Sequence, residues 1–111
     1  MKKHEILKKS IEFTNIINKN SKIKNKYYSL FFVESNSTLF GISIPKKTGN
    51  AVVRNKIKRQ IKNIIDNNKS YIQSGYNYVI IIRKEIVELT YSEKEKELMA
   101  LFKKIGAKNE K

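Results

Sequence analysis

Apolar side chains recur at helical spacing in three segments of the chain, and this periodicity predicts three amphipathic helices. The clearest helix spans residues 50–67, with Asn50 as its expected N-cap. A short helix is predicted at residues 10–18, and a third at residues 90–105. Their apolar stripes are, in chain order, Phe13, Ile16 and Ile17; Val53, Ile57, Ile61, Ile64 and Ile65; and Leu98, Leu101, Phe102 and Ile105.

The ends of the third helix are marked in the sequence. Two capping boxes are possible at its start, Thr90 with Glu93 or Ser92 with Glu95. Gly106 is expected to end the helix, because glycine is favoured directly after a helical C-terminus. Residues 107–111 are then predicted to form a frayed tail.

Runs of apolar, aromatic and β-branched residues predict strands at residues 27–33, 39–44 and 76–83. The turn between the first two strands is short, so they are expected to run antiparallel. The third run is almost continuously apolar, as in a central strand that is buried on both faces. This order of elements predicts an α+β fold, in which three helices pack on a small, mainly antiparallel sheet.

Length and composition limit the chain to one small domain. Its 111 residues suffice for one modest core, and no apolar run is long enough to cross a bilayer. The charged N-terminus lacks the apolar segment of a signal peptide, which predicts a cytoplasmic protein without a membrane partner. The chain has no cysteine, so disulfides and thiolate metal sites are excluded.

The net charge points to a polyanionic partner. The chain carries 24 Lys and Arg side chains against 10 acidic ones, a formal net charge of +14. A field of this sign favours nucleic acid, an anionic membrane surface or an acidic protein. The chain is also rich in lysine, asparagine and isoleucine, as expected from an AT-rich genome. The position of the charge is therefore more informative than its sum.

Much of this charge lies between residues 35 and 65, where the chain has no acidic residue. Two adjacent rows on the predicted helix, here called the basic ridge, consist of Arg54, Lys58 and Lys62 at i, i+4 spacing and of Asn55 and Arg59. Like charges at this spacing cost about a few tenths of a kcal/mol each, and ordinary solvated faces mix both signs. A polyphosphate backbone rewards such a ridge, because each neutralised phosphate releases condensed counterions.

Residues 43–59 read Ser-Ile-Pro-Lys-Lys-Thr-Gly-Asn-Ala-Val-Val-Arg-Asn-Lys-Ile-Lys-Arg. This motif closely resembles the signature of the ribonuclease P protein family, with Lys56 where the family has arginine. The flanks resemble the family too: residues 8–17 its first helix, residues 76–84 its last strand with a terminal Arg-Lys, and residues 89–102 its last helix. The resemblance therefore covers nearly the whole chain, and residues 1–111 are expected to form a single RNA-binding domain.

The resemblance implies a protein without an active site of its own. Members of the family bind the ribonuclease P RNA, and the ribonucleoprotein removes the 5′ leader of precursor tRNA by hydrolysing one phosphodiester bond. Magnesium ions held mainly by the RNA carry out the chemistry, and the protein alone is expected to bind no cofactor. The family fold also includes a left-handed β-α-β crossover, which general topology disfavours.

The family's functional residues map onto two groups of positions in this chain. The resemblance implies that the catalytic RNA is bound by Lys46, Lys47, Asn50, Arg54, Asn55, Lys56, Lys58, Arg59 and Lys62. It also implies that a cleft between the sheet and the first helix holds the single-stranded leader, with Phe13, Ile17 and Phe31. The residue pattern alone leaves open whether Phe31 contacts RNA or packs in the core, because alternation only assigns it to one face of its strand.

Other functional classes explain less of the sequence. A structural protein of another ribonucleoprotein, such as the ribosome, accounts for the charge and the size but not for the ordered motif. A membrane-surface protein needs an exposed apolar helix face, whereas these stripes are needed for the core. A free-standing nuclease or a metal enzyme needs convergent His, Cys or carboxylate groups, and the only histidine is His4, near the N-terminus.

Overall fold

The computed structural model describes residues 22–109, which form a four-stranded sheet and two α-helices. The elements are β1 (Lys22–Lys24), β2 (Tyr28–Glu34), β3 (Leu39–Ser43), α1 (Ala51–Asn67), β4 (Tyr76–Ile82) and α2 (Tyr91–Asn109). Short 3-10 helices lie at Lys46–Thr48, Lys69–Tyr71 and Lys84–Glu88. The helix predicted at residues 10–18 lies outside the described residues, so the α+β class is confirmed with two of its three predicted helices.

The sheet has the strand order β1-β2-β4-β3, in which β4 pairs antiparallel with β2 and parallel with β3. β2 and β3 therefore have the opposite directions that their short connection predicts, but they are not neighbours. Residues 35–38 can span the two strand spacings of about 4.8 Å each, because four extended residues reach roughly 13 Å. The unit β3-α1-β4 is the crossover that the resemblance implies, and its left-handedness stays a prediction.

β4 is the central strand that its apolar run predicts. Tyr76, Tyr78, Ile80 and Ile82 are buried on the face that packs against the helices. On the second face of the sheet Val79 is fully buried, while Asn77 and Ile81 are half-buried. A continuous apolar sequence is needed here because both faces of the strand lose contact with water.

The main core lies between one face of the sheet and the two helices. Ile57, Ile61, Ile64 and Ile65 of α1 and Leu98, Leu101, Phe102 and Ile105 of α2 are buried there, each contributing about 1.5–3 kcal/mol. The Tyr78 ring stacks on Phe40 at 5.5 Å and meets the edge of Phe102 at 5.2 Å. Tyr28 ties the sheet to α2, since its hydroxyl donates a hydrogen bond to the Lys94 carbonyl at 3.0 Å. These contacts fix both helices against the sheet.

The helix ends follow the sequence signals in part. The Asn50 side chain accepts a hydrogen bond from Val53 N at 3.0 Å, so the predicted N-cap of α1 is confirmed. Val53 itself is 36% exposed and does not belong to the buried stripe, which starts at Ile57. The first helical turn is exposed from Ala51 to Val53, so this valine stays in contact with water.

At α2 the first of the two possible capping boxes is formed. Thr90 N donates to Glu93 Oε1 at 2.9 Å, and Glu93 N donates to Thr90 Oγ1 at 3.2 Å. The predicted stop at Gly106 is wrong, because the helix continues to Asn109. A glycine inside a helix costs only about 1 kcal/mol relative to alanine, and alanine and lysine follow it. Residues 107–109 are therefore helical rather than a frayed tail.

Candidate nucleic-acid interface

The connection between β3 and α1 forms a compact basic loop. Pro45 has a φ of −63°, close to the value its ring imposes, and leads the chain into the 3-10 helix Lys46–Thr48. Thr48 N donates to the Pro45 carbonyl at 3.0 Å. Both lysines of this turn are exposed, and Asn50 begins α1 directly after it. The loop thus places two cations beside the N-terminus of the basic helix.

Gly49 allows the loop and the helix to approach closely. A Cβ atom at this position would lie 2.9 Å from Val53 Cγ1, and valine has little freedom to rotate away. The Gly49 carbonyl accepts a hydrogen bond from Arg54 Nε at 3.1 Å. This bond orients the guanidinium group, whose two terminal nitrogens make no hydrogen bond within the described residues. The motif therefore holds Arg54 in place and presents its planar fork outward.

The basic ridge lies on the surface of α1. Asn55, Lys58 and Arg59 are exposed, while Arg54 and Lys62 are half-buried. Ion pairs in the described part of the chain join Lys26 to Glu88 and Lys69 to Asp66, and they use none of these side chains. A cavity of about 290 Å³ separates the ridge from the end of β3, and it is lined by Ile42, Ser43, Ile44, Arg54, Asn55 and Lys58. Amide, hydroxyl and cationic donors converge there, as phosphate oxygens require.

Lys56 lies on a flank of α1 that is turned away from Arg54, Lys58 and Lys62 but borders Arg59, three residues later. At about 100° per residue, it shares its side of the helix with Gln60, one turn later. Gln60 contacts α2, because its Oε1 accepts a hydrogen bond from Lys94 Nζ at 2.9 Å. Lys56 therefore continues the row of cations from Arg59 towards α2.

The second face of the sheet carries its own apolar cluster. Phe31 and Val79 are buried there, and Val33, Leu39 and Ile81 pack around them. Phe31 is 8% exposed and belongs to this cluster rather than to the main core. Its strand partners are Val79 on β4 and Lys22 on the edge strand, and Lys22 Nζ lies 5.7 Å from the centre of the ring. An aromatic ring beside a cation is a favourable surface for an unstacked base.

A cavity of about 340 Å³ continues this second face towards the C-terminal end of β4. Its lining combines apolar, polar and charged side chains: Ser29, Pro45, Lys47, Ile81, Ile82, Arg83, Lys84 and Glu85. Ser29 and Ile81 are strand partners in the row next to Phe31 and Val79. The cavity therefore connects the apolar cluster with the basic loop at Lys47.

The structure brings some of the predicted site residues together and leaves others untested. Lys46, Lys47 and Asn50 join the basic ridge at the start of α1, and Phe31 lies apart on the second face. Phe13 and Ile17 lie outside the described residues.

Sequence reasoning missed Lys22, Arg83 and Lys84 as cations near the apolar cluster around Phe31. The terminal Arg-Lys after the third strand was a visible signal. The pairing of Lys22 with Phe31 was not visible, because strand register is not encoded in a single segment.

Residues 22–109 show neither a group of metal-binding side chains nor a membrane-spanning helix. No three His, Cys, Asp or Glu side chains are placed so that they could hold a metal ion together. No helix in this range is both long enough and apolar enough to cross a membrane.

Comparison with known proteins identifies the same family over the whole fold. The family model described as Ribonuclease P matches residues 1–106. The ribonuclease P protein component of Bacillus cereus strain AH187 is 40% identical over 111 residues, covering 97% of this chain and 96% of that protein.

Two solved structures share the architecture. The RNase P protein from Thermotoga maritima is 28% identical and superposes with a TM-score of 0.83, covering 90% of this chain and 96% of the other. The Staphylococcus aureus RNase P protein is 29% identical with a TM-score of 0.78, covering 92% and 94% of the two chains.

Proposed function

The chain belongs to the ribonuclease P protein family, and we propose that it binds two RNAs on two different surfaces. It is the protein component of a ribonucleoprotein endoribonuclease that acts in the maturation of the 5′ end of tRNA, with catalysis by the RNA subunit. We assign the catalytic RNA to the basic ridge and the basic loop. We assign the 5′ leader of precursor tRNA to the second face of the sheet.

The observation that carries the first assignment is the uncompensated charge of the ridge. Within residues 22–109 its cations form no ion pair, and α1 is anchored on the sheet through its buried isoleucines. Because the helix backbone is already ordered, only side-chain entropy is lost when these cations bind phosphates, and each contact releases a counterion. The polar cavity beside Arg54 and Asn55 adds directed donors to this array.

The second assignment depends on the chemistry of the sheet face opposite the helices. The Phe31 ring, 8% exposed in the apolar cluster, is the proposed platform for a base, and the cavity at the end of β4 carries Lys47, Arg83 and Lys84, together with Glu85, for the phosphates that follow. Asn77 lies on the same face, and its Oδ1 is buried without a hydrogen-bond partner in the described part of the chain. Such an acceptor suits the amino group of a base. A single strand needs this combination of apolar platform and basic channel.

The remaining parts of the proposal follow from the family. Magnesium ions are needed by the holoenzyme, and we expect the RNA rather than this chain to hold most of them. Because precursor tRNA is made in the bacterial cytoplasm, we place the protein there. A structural role in another ribonucleoprotein leaves the ordered motif at residues 43–59 without a purpose.

The leader assignment is tested by comparing precursor tRNA with mature tRNA as ligands of the assembled holoenzyme. Phe31→Ala should weaken precursor binding by about 1–3 kcal/mol, the value of one stacked base, and leave mature tRNA nearly unaffected. Phe31→Tyr is the matched control, because it keeps the aromatic platform. Phe31→Leu keeps apolar volume in the cluster and separates loss of stacking from loss of folding. Equal losses for both tRNAs in folded variants would reject the assignment.

A further inference from the structure

Lys94 occupies a position on α2 where the apolar stripe predicts a core residue. It lies one turn before the buried Leu98, and only 7% of its own surface is exposed. Its ammonium group donates to Gln60 Oε1 on α1 at 2.9 Å. Burial lowers the pKa of Lys94, and the nearby Lys56 lowers it further. The crossing of the two helices therefore holds two ammonium groups and one amide.

The carboxylates of α2 that could neutralise Lys94 are engaged elsewhere. Glu93 bonds Thr90 in the capping box, and Glu95 accepts a hydrogen bond from Asn68 Nδ2 at 2.8 Å. Glu97 faces Asn25, whose Nδ2 lies 3.4 Å from Glu97 Oε1. Within residues 22–109, Lys94 forms no ion pair. A sequence selected only for stability would place leucine or methionine here, because a buried lysine without a counter-charge is costly.

We propose that Lys56, Gln60 and Lys94 form a phosphate-binding site at the crossing of α1 and α2, which takes a backbone phosphate of the catalytic RNA. This inference rests on the proposed function, and it extends the RNA surface from the basic ridge to the flank of α1 that meets α2. Two ammonium groups supply the charge, and the Gln60 side-chain amide can turn its NH₂ group towards a phosphate oxygen. The same phosphate would compensate the Lys94 charge, which has no ion-pair partner among residues 22–109.

Two substitutions remove the site in opposite ways. Gln60→Glu sets a carboxylate against the Lys94 ammonium and should keep or raise the thermal midpoint. Lys94→Met completes the apolar stripe and removes the charge. Both should weaken binding of the full-length protein to the catalytic RNA about tenfold, the effect of one charge-assisted contact. Each should also make the logarithmic salt dependence of binding shallower by about one unit.

Two controls make the result specific. Gln73→Glu introduces the same charge at an exposed position outside both helices, and it should change RNA binding much less than Gln60→Glu. Arg59→Ala removes a cation of the basic ridge and tests the proposed function itself. Precursor tRNA binding by the preassembled holoenzyme distinguishes a phosphate of the catalytic RNA from one of the substrate, and it should stay unchanged in both site variants.

The outcomes distinguish failure of the phosphate site from failure of the proposed function. If Gln60→Glu and Lys94→Met fold and bind the catalytic RNA like the wild type while Arg59→Ala binds weakly, the site is overturned and the proposed function stands. If Arg59→Ala also binds normally, the ridge assignment fails. If Gln60→Glu and Gln73→Glu lose the same affinity for the catalytic RNA, the change in net charge alone explains the effect, and the proposed site is overturned. If Lys94→Met does not fold, binding of the catalytic RNA by the Gln60→Glu variant alone tests the site.

Discussion

The residues at the entry of α1 serve both the fold and the proposed RNA surface. Asn50 caps the helix through Val53 N, and Gly49 accepts the Arg54 side chain while leaving room for Val53. These structural roles explain why the motif has Gly49 and Asn50 even if neither residue contacts RNA. They fix the first helical turn, on which Arg54 and Asn55 are carried.

Substitution of Asn50 separates these two roles. Asn50→Ala should destabilise the protein by about 1 kcal/mol, because one N–H of the first turn loses its partner. Asn50→Asp should retain the stability, since aspartate caps equally well and favours the positive end of the helix dipole. The new carboxylate should nevertheless weaken binding to the catalytic RNA, since it repels phosphates beside the ridge. Urea unfolding and RNA titration of both variants check this. Unchanged RNA binding by the folded Asn50→Asp protein would place the RNA away from the helix entry.

At the scale of elements, the helices and strands could be predicted because their signals are local. The isoleucine stripe located α1, the apolar run located β4 in the centre of the sheet, and the Thr90–Glu93 box marked the start of α2. The insertion of β4 between β2 and β3 could not be predicted, since a short connection usually joins neighbouring strands. The separation of Lys56 from Lys58 could be predicted, since two residues correspond to about 200° on the helical wheel. The sequence could not show that the flank with Lys56 and Gln60 meets α2.

The capping box of α2 predicts a pH dependence. Hydrogen bonds from the Thr90 backbone N–H and then from its hydroxyl lower the pKa of the exposed Glu93 carboxyl below its ordinary value of 4.5. A depressed pKa in the folded state adds stability above the unfolded pKa and loses it as the pH falls through the folded value. Glu93→Gln keeps a capping side chain but does not titrate. Urea unfolding at pH 3 and pH 7 should show the wild type losing stability relative to Glu93→Gln at the lower pH. If the stability of the two proteins changed equally between pH 7 and pH 3, the lowered pKa of Glu93 in the capping box would be contradicted.

The basic ridge as a whole predicts a graded salt response. Alanine at Arg54 or Arg59 should flatten the logarithmic salt dependence of catalytic-RNA binding by about one unit each, because one phosphate contact is lost. Lys62→Ala should cost less affinity, since an ammonium group cannot engage two phosphate oxygens with a planar fork. Salt titrations with thermal melting alongside give both quantities. Unaltered slopes in folded Arg54 and Arg59 variants would mean that α1 is not the RNA-binding element.

At the scale of the whole molecule, the two proposed RNA surfaces lie on opposite sides of a rigid sheet. α1 with its ridge packs against one face, while Phe31 and the cavity at the end of β4 belong to the other. The basic loop at Lys46–Thr48 lies at the edge where both surfaces meet, because Lys47 also lines that cavity. A protein of this geometry can hold a substrate strand next to the RNA that cleaves it. Its formal net charge of +14 reduces the repulsion between the two polyanions.

This division of labour predicts how activity depends on magnesium. Added to its cognate catalytic RNA, the protein should raise cleavage of precursor tRNA most strongly at low magnesium, where few other cations screen the phosphates. The gain should shrink as magnesium rises, because free cations then supply the same screening. Arg59→Ala should lower the gain at low magnesium and differ little from the wild type at high magnesium. The measurement is single-turnover cleavage over a magnesium series, with the protein freed of RNA as the control. Because catalysis belongs to the RNA subunit, the protein alone should leave precursor tRNA intact, and robust cleavage by an RNA-free preparation would contradict the assignment of its role.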